Sequence, residues 1–189
     1  MKNIRILALL SALLLFALTS QPGYAQSHRG TQMSYKVDFG PVYPIEGQSI
    51  QLKGELGLND TTGVVEQLNF EVPLISFQGT NGGYLAWVAN SWNNPDMRFE
   101  SNSIKKKDDH WIAKGTLEFR RRHNSVEIEF YRKNIGHEIL VEGHFQLRPR
   151  DFFFSSPPLD LVPSSIPIKF TMLYDQPEDT EKKEEVSMK

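Results

Sequence analysis

The sequence contains no cysteine. That absence excludes disulfides as a source of stability, a lipidated cysteine as an anchor, and thiolate nucleophiles as a catalytic device. Catalytic and nucleotide motifs are missing as well: there is no Gly-x-Ser-x-Gly elbow, no P-loop and no dinucleotide fingerprint. His28, His110, His123, His137 and His144 are the only histidines. None has metal-ligand spacing, so neither a metal nor a catalytic residue is expected. No long amphipathic helical pattern separates the β-like segments, which argues against a parallel βαβ sheet. Excess positive charge is lacking too. Of 21 Lys and Arg, only Lys2 and Arg5 precede residue 26, which leaves 19 against 23 acidic residues. A mildly acidic chain has no general attraction for nucleic acid or anionic lipid.

The single long apolar run, Ile6 to Leu18, is 13 residues, short of the ~20 that span a bilayer. It follows Lys2 and Arg5 and precedes Gly23-Tyr24-Ala25, the pattern of a secretory signal peptide cleaved after Ala25. The expected organisation is a signal peptide over 1–25, a linker over 26–32, a barrel domain over 33–174 and a charged, disordered tail over 175–189. Export to a bacterial periplasm or the exterior follows from that reading.

What is present is alternation with period two. Ile50, Leu52, Gly54, Leu56 and Leu58 interleave with Gln51, Lys53 and Glu55. Leu68, Phe70, Val72 and Leu74 interleave with Asn69, Glu71 and Pro73. Trp111, Ala113, Leu117 and Phe119 form another such set, followed by Val126, Ile128 and Phe130, then Val141, Phe145 and Leu147, and last Ile166, Ile168, Phe170 and Met172. Successive strand side chains point to opposite faces, so each segment has one apolar and one wet face. Adding 33–39 and 96–104 gives eight antiparallel strands in mostly sequence-adjacent hairpins. Gly40-Pro41 to Glu46-Gly47, Asn59 to Gly63, Lys107 to Asp109, His123 to Ser125 and Asn134 to Gly136 read as turns. Helical spacing of Tyr84, Leu85, Val88 and Trp92 predicts one short helix or ordered loop between Asn81 and Pro95. Closing eight strands into a barrel removes exposed edges and leaves room for one small ligand. The charged face carries Lys53, Glu55, Glu71, Lys114, Glu118, Glu127, Glu129, Glu142 and Lys169, too many for a narrow lumen. The apolar face is therefore expected inward, against the outer-membrane arrangement.

Phe70, Val72, Leu74, Leu117, Phe119, Ile128, Phe130, Phe145, Phe170 and Met172 would line the bore. Tyr84, Trp87, Trp92, Phe99, Phe152, Phe153 and Phe154 would form an aromatic mouth. Periodicity does not separate a hollow interior from a filled one. Arg121, Arg122 and His123, with Arg120 beside them, have the chemistry to hold an anionic head group. The same residues equally suit a solvated hairpin that protects an edge.

The order of segments resembles the YceI-like family. Tyr35-Lys36-Val37-Asp38 resembles its first strand. Leu68 to Phe77 followed by Gly79-Thr80-Asn81, Asn94-Pro95-Asp96-Met97-Arg98-Phe99-Glu100-Ser101, and Gly115 to Phe119 resemble later ones. Phe145-Gln146-Leu147 with Arg148, Asp151 and Phe152 resembles another. The resemblance implies a lipocalin-like antiparallel barrel holding a long isoprenoid or similar apolar chain, without catalysis. The only cofactor-like molecule it implies is a bound isoprenoid or quinone-like lipid. The partner is then a small apolar ligand, not nucleic acid, and no membrane span is implied; the oligomeric state, homodimer included, stays open. Gly82 to Trp92, Arg120 to Asn124, Arg148 to Asp151, Phe153 and Pro157 to Pro163 depart from the family pattern. They lie in loops and at strand ends, where ligand choice is usually set. A barrel with a filled core and a protein-binding role is the alternative.

Overall fold

Alternation of large apolar and polar side chains generates one continuous antiparallel sheet that curls around its apolar face. The computed structural model describes residues 23–26, 30–38, 44–59, 61–153 and 162–176. Its strands are β1 (Gly23–Gln26), β2 (Gln32–Asp38), β3 (Pro44–Ser49), β4 (Lys53–Leu58), β5 (Val65–Pro73), β6 (Asp96–Lys107), β7 (His110–Phe119), β8 (Arg122–Ile135), β9 (Glu138–Leu147) and β10 (Ile166–Asp175). One short helix, α1 (Tyr84–Ala89), and two 3-10 turns, Leu74–Ser76 and Pro149–Phe152, complete the described elements. The all-β, lipocalin-like class expected from the sequence is the one observed.

Among the described residues there are ten strands, not eight. β3 falls where the Pro44 and Gly47 chemistry predicts a turn. Gly47 is there for another reason: it lies directly opposite Tyr35, and a Cβ on it would sit 2.5 Å from the Tyr35 ring. The glycine makes room for a cross-strand aromatic rather than for a bend. β1 pairs with β4 through Tyr24↔Gly57 and Ala25↔Leu56, so the expected cleavage point lies inside this strand. The rest of the expected leader and most of the expected tail lie outside the described residues, as do Phe154 and Pro157. Strand limits also shift: β8 runs from Arg122 to Ile135, so His123 to Ser125, which read as a turn, lie in a strand, and the turn falls at Arg120 and Arg121. β4 begins at Lys53, leaving Ile50 79% exposed, and β6 runs on to Lys107.

The sheet order is β1-β4-β5-β6-β7-β8-β9-β10-β2-β3. It closes through β3. Gln48 and Gln78 exchange backbone hydrogen bonds at 2.8 and 2.9 Å, and Glu46 N–H donates to the Thr80 carbonyl at 2.9 Å. The chain that has just left β5 thereby joins the opposite edge.

The interior is apolar, as the alternation predicts. Met33, Leu56, Leu68, Phe99, Leu117, Phe119, Ile128, Phe130 and Tyr174 are among the buried side chains of a single core cluster. Lys53, Glu55, Lys114, Glu127, Glu142 and Lys169 lie outside it and are exposed. An outer-membrane barrel needs the reverse arrangement.

Candidate functional site

The middle of the barrel is occupied by the protein's own rings. Phe70 stacks on Phe99 at 5.4 Å between centroids and meets Phe170 at 5.5 Å and Phe145 at 6.0 Å. Three strand glycines admit this packing. A Cβ on Gly115 would lie 2.6 Å from the Phe99 ring, one on Gly143 2.3 Å from the Phe170 ring, and one on Gly54 2.2 Å from the Met172 sulfur. All ten expected bore residues are buried, and here they touch one another.

One end is different. The β8–β9 ladder runs only from Ile135↔Glu138 to Glu129↔His144. Beyond it, the first half of β8 stays with β7 as far as Arg122, while Phe145, Gln146 and Leu147 stay with β10. The two strands splay, and a cleft of about 420 Å³ opens between them. Leu117, Phe145 and Phe152 supply apolar lining, with Val126 and Ile112 beside them. Asn124, Glu127, His144, Gln146, Arg148 and Asp151 supply the polar part. Its volume is in the range of small-molecule sites, and its lining is mixed, with eight polar residues among thirteen. Two larger concavities, about 510 and 670 Å³, carry mainly outward-facing polar side chains such as Lys53, Glu71 and Arg98, or Lys36, Glu46 and Lys169. The first of these also reaches Phe70 and Phe99 of the core, and the second Tyr35.

The 3-10 turn Pro149–Phe152 straps this end. Phe152 packs edge-on against Phe119 at 5.5 Å. Asn124 Nδ2 donates to the Asp151 carbonyl at 3.0 Å, and Arg122 Nη1 donates to the Phe153 carbonyl at 2.6 Å. Arg150 donates twice to the Val162 carbonyl, at 3.0 and 2.9 Å. Arg120 lies 4.0 Å over the Phe153 ring and donates to the Val88 carbonyl of α1. The arginine cluster singled out in the sequence is therefore divided. Arg120 and Arg122 hold loops in place, Arg121 is exposed at the turn, and His123 is exposed with its Nε2 3.8 Å from Glu118.

The expected aromatic mouth is divided too. Phe99 and Phe152 are core, Tyr84 and Phe153 are half-buried against it, and Trp87 and Trp92 are 58% and 97% exposed. Tyr35 reaches this cap from below: its hydroxyl donates to the Gly82 carbonyl at 2.7 Å and accepts from Leu85 N–H at 3.4 Å. Burial raises the Tyr35 hydroxyl pKa, and burial with the neighbouring Tyr35 pushes Tyr84 to about 12.

Sequence reasoning missed two interior polar groups. Arg132 shares the inward face of β8 with Ile128 and Phe130, and its buried Nε has no hydrogen-bond partner. Tyr174, fully buried on β10, has a hydroxyl that donates to the Met172 sulfur at 3.2 Å. Both continue a strict period-two pattern, which was the available signal. Among the described residues no group of three His, Asp or Glu side chains is placed to hold a metal, and no helix is long and apolar enough to cross a membrane.

No protein-family profile matches the sequence, and no curated protein matches it. Solved structures do match. BcnA of Burkholderia cenocepacia superimposes with a TM-score of 0.62 at 14% identity, over 76% of this chain and 94% of that one. The YceI protein of Campylobacter jejuni gives 0.61 at 13% identity, over 76% and 91%. A polyisoprenoid binding domain from Saccharophagus degradans gives 0.60 at 10% identity, over 83% and 100%. By its strand order, its curled sheet and these superpositions, the chain has the YceI-like fold.

Proposed function

We propose that this chain is an exported, non-enzymatic binding protein that carries or sequesters a long apolar molecule of isoprenoid-like character. The observation that carries the reading is the cleft between β8 and β9, where the sheet parts and Leu117, Phe145 and Phe152 give access to an apolar interior. Burial of a hydrocarbon chain there is favourable at ~25 cal/mol per Å² and needs no covalent step. Glu127, His144 and Arg148 border the same cleft and offer charge or hydrogen bonds to a polar head. The polyisoprenoid binding domain of like fold supports the ligand class. The Lys2, Arg5 and Ile6 to Leu18 pattern supports export.

The aromatic packing at mid-barrel favours a second reading, a structural or protein-interaction barrel with its core already filled. The two readings separate by titration with a fluorescent polyene fatty acid. On the first, wild-type protein binds the probe, and Val126→Trp, which fills the cleft from its edge, abolishes binding while the thermal unfolding midpoint is kept. No binding by wild type would favour the filled barrel, and equal binding by both proteins would overturn the β8–β9 cleft as the site.

A further inference from the structure

The same end of the barrel that opens as a cleft also carries an unusual combination of side chains. Trp92 is 97% exposed and Trp87 58%, whereas the third tryptophan, Trp111, is buried against Phe130. Ile50 and Ile75 are 79% and 75% exposed. The Ser49 and Ser76 hydroxyls, on the residues next to these isoleucines in sequence, lie 2.5 Å apart. Large side chains left this bare on a soluble domain usually mark a surface that is covered in use.

Basic side chains stand at the same strand ends, alongside the acids Asp96 and Glu118. The β7–β8 turn carries Arg120, Arg121 and Arg122, and the strap carries Arg148 and Arg150 with Asp151 as its one acid. The bond from Arg120 to the Val88 carbonyl ties the arginine turn to the helix that bears Trp87. Indole rings prefer the boundary between headgroup and acyl chain, and arginines prefer lipid phosphates. Exposed tryptophan with basic charge fits an anionic bilayer better than it fits water or an acidic protein alone.

We infer that this end is a docking face for an anionic membrane surface, with Trp87 and Trp92 entering the headgroup layer and Arg121 pairing with lipid phosphate. The inference builds on the apolar-cargo reading, because docking there brings the β8–β9 cleft to the layer from which such a cargo would be drawn. An acidic protein partner would use the charges but would not require the indoles to enter an apolar phase.

The test is co-sedimentation of the protein purified as the exported form with vesicles of phosphatidylcholine, with and without phosphatidylglycerol. Tryptophan emission is recorded alongside. The expected result is binding to the phosphatidylglycerol vesicles only, with a blue shift of the emission and weakening by salt. W87S/W92S should bind about tenfold more weakly and lose the shift, and R121S about fivefold more weakly. Near-ultraviolet dichroism of Trp111 in W87S/W92S reports that the barrel is folded. No binding to either vesicle, equal binding to both, or undiminished binding by W87S/W92S would overturn the docking face. Organic extraction of the same preparation reads the cargo separately. An empty extract with vesicle binding removes the cargo and keeps the face, whereas a loaded extract without vesicle binding does the opposite.

Discussion

The Arg132 guanidinium on β8 donates to the Gly63 carbonyl at 2.5 Å, linking two parts of the sheet that no ladder joins. Gly63 lies in the turn between β4 and β5, and β8 is separated from β5 by β6 and β7. The link exists because the β5–β6 ladder stops at Asn69↔Glu100, so the remainder of β5 and the long β6–β7 hairpin part company.

Arg132 contributes more through its stem than through its charge. Its Nε is buried without an acceptor, and burial lowers the guanidinium pKa. An orphaned donor of this kind costs about 1–3 kcal/mol, which offsets the Gly63 bond. Arg132→Met should therefore stay within about 1 kcal/mol of wild type in urea unfolding. Arg132→Ala, which also removes the stem, should lose about 2 kcal/mol. Equal losses would show that the polar bond dominates.

The three inward glycines should rank by what an added methyl meets. Gly115→Ala should cost most, about 3 kcal/mol, because the Cβ would stand 2.2 Å from the Glu100 carbonyl, a fixed ladder atom. Gly143→Ala should cost about 2 kcal/mol, since it meets the Phe170 ring at 2.3 Å and the Glu129 carbonyl at 3.0 Å. Gly54→Ala should cost about 1 kcal/mol, because its nearest obstacle is the flexible end of Met172. The ranking, read from denaturation midpoints, reports how tightly the mid-barrel is packed.

Arg120 and Arg121 form the two-residue β7–β8 turn with φ of 57° and 56°. Such a turn requires positive φ at both positions and favours Asn or Gly. Arg121→Gly should stabilise the protein by about 0.5 kcal/mol, because the exposed Arg121 side chain has no bond to lose. Arg120→Gly should destabilise it, since the Val88 bond and the Phe153 contact go with the side chain. Chemical denaturation of the two variants measures both signs.

Stability should fall in alkali. Burial raises Tyr35, Tyr84 and Tyr174 above the ordinary value of 10.0, with Tyr84 reaching about 12. The folded state thus holds these protons longer than the unfolded chain does. The associated stability is complete below pH 10 and declines as pH rises from there toward 12. Tyr174→Phe should leave neutral stability within about 1 kcal/mol, because its hydroxyl has only a sulfur acceptor, and should make the alkaline decline shallower. Urea midpoints at pH 8 to 12 test the slope.

Much of this fold was legible because period two is a strong signal where one sheet face is apolar. Phe70, Leu117, Ile128, Phe145 and Phe170 all lie inside as the alternation requires. β3 was not legible, because Gly47 reads as a turn until the Tyr35 ring opposite it is known. The mouth was legible only in composition. Phe152 folds in and Trp92 points out, and that choice depends on how the strap and α1 dock, a tertiary matter that leaves no local pattern. The β8–β9 parting was invisible as well, since both strands alternate normally through the point where their ladder ends.

The measurement closest to the central claim is mass spectrometry of an organic extract from the natively purified protein. The account predicts a long-chain apolar molecule in near one-to-one amount, and its loss from the Val126→Trp variant. An extract free of such molecules from fully folded wild-type protein would contradict it and leave the barrel as a packed scaffold.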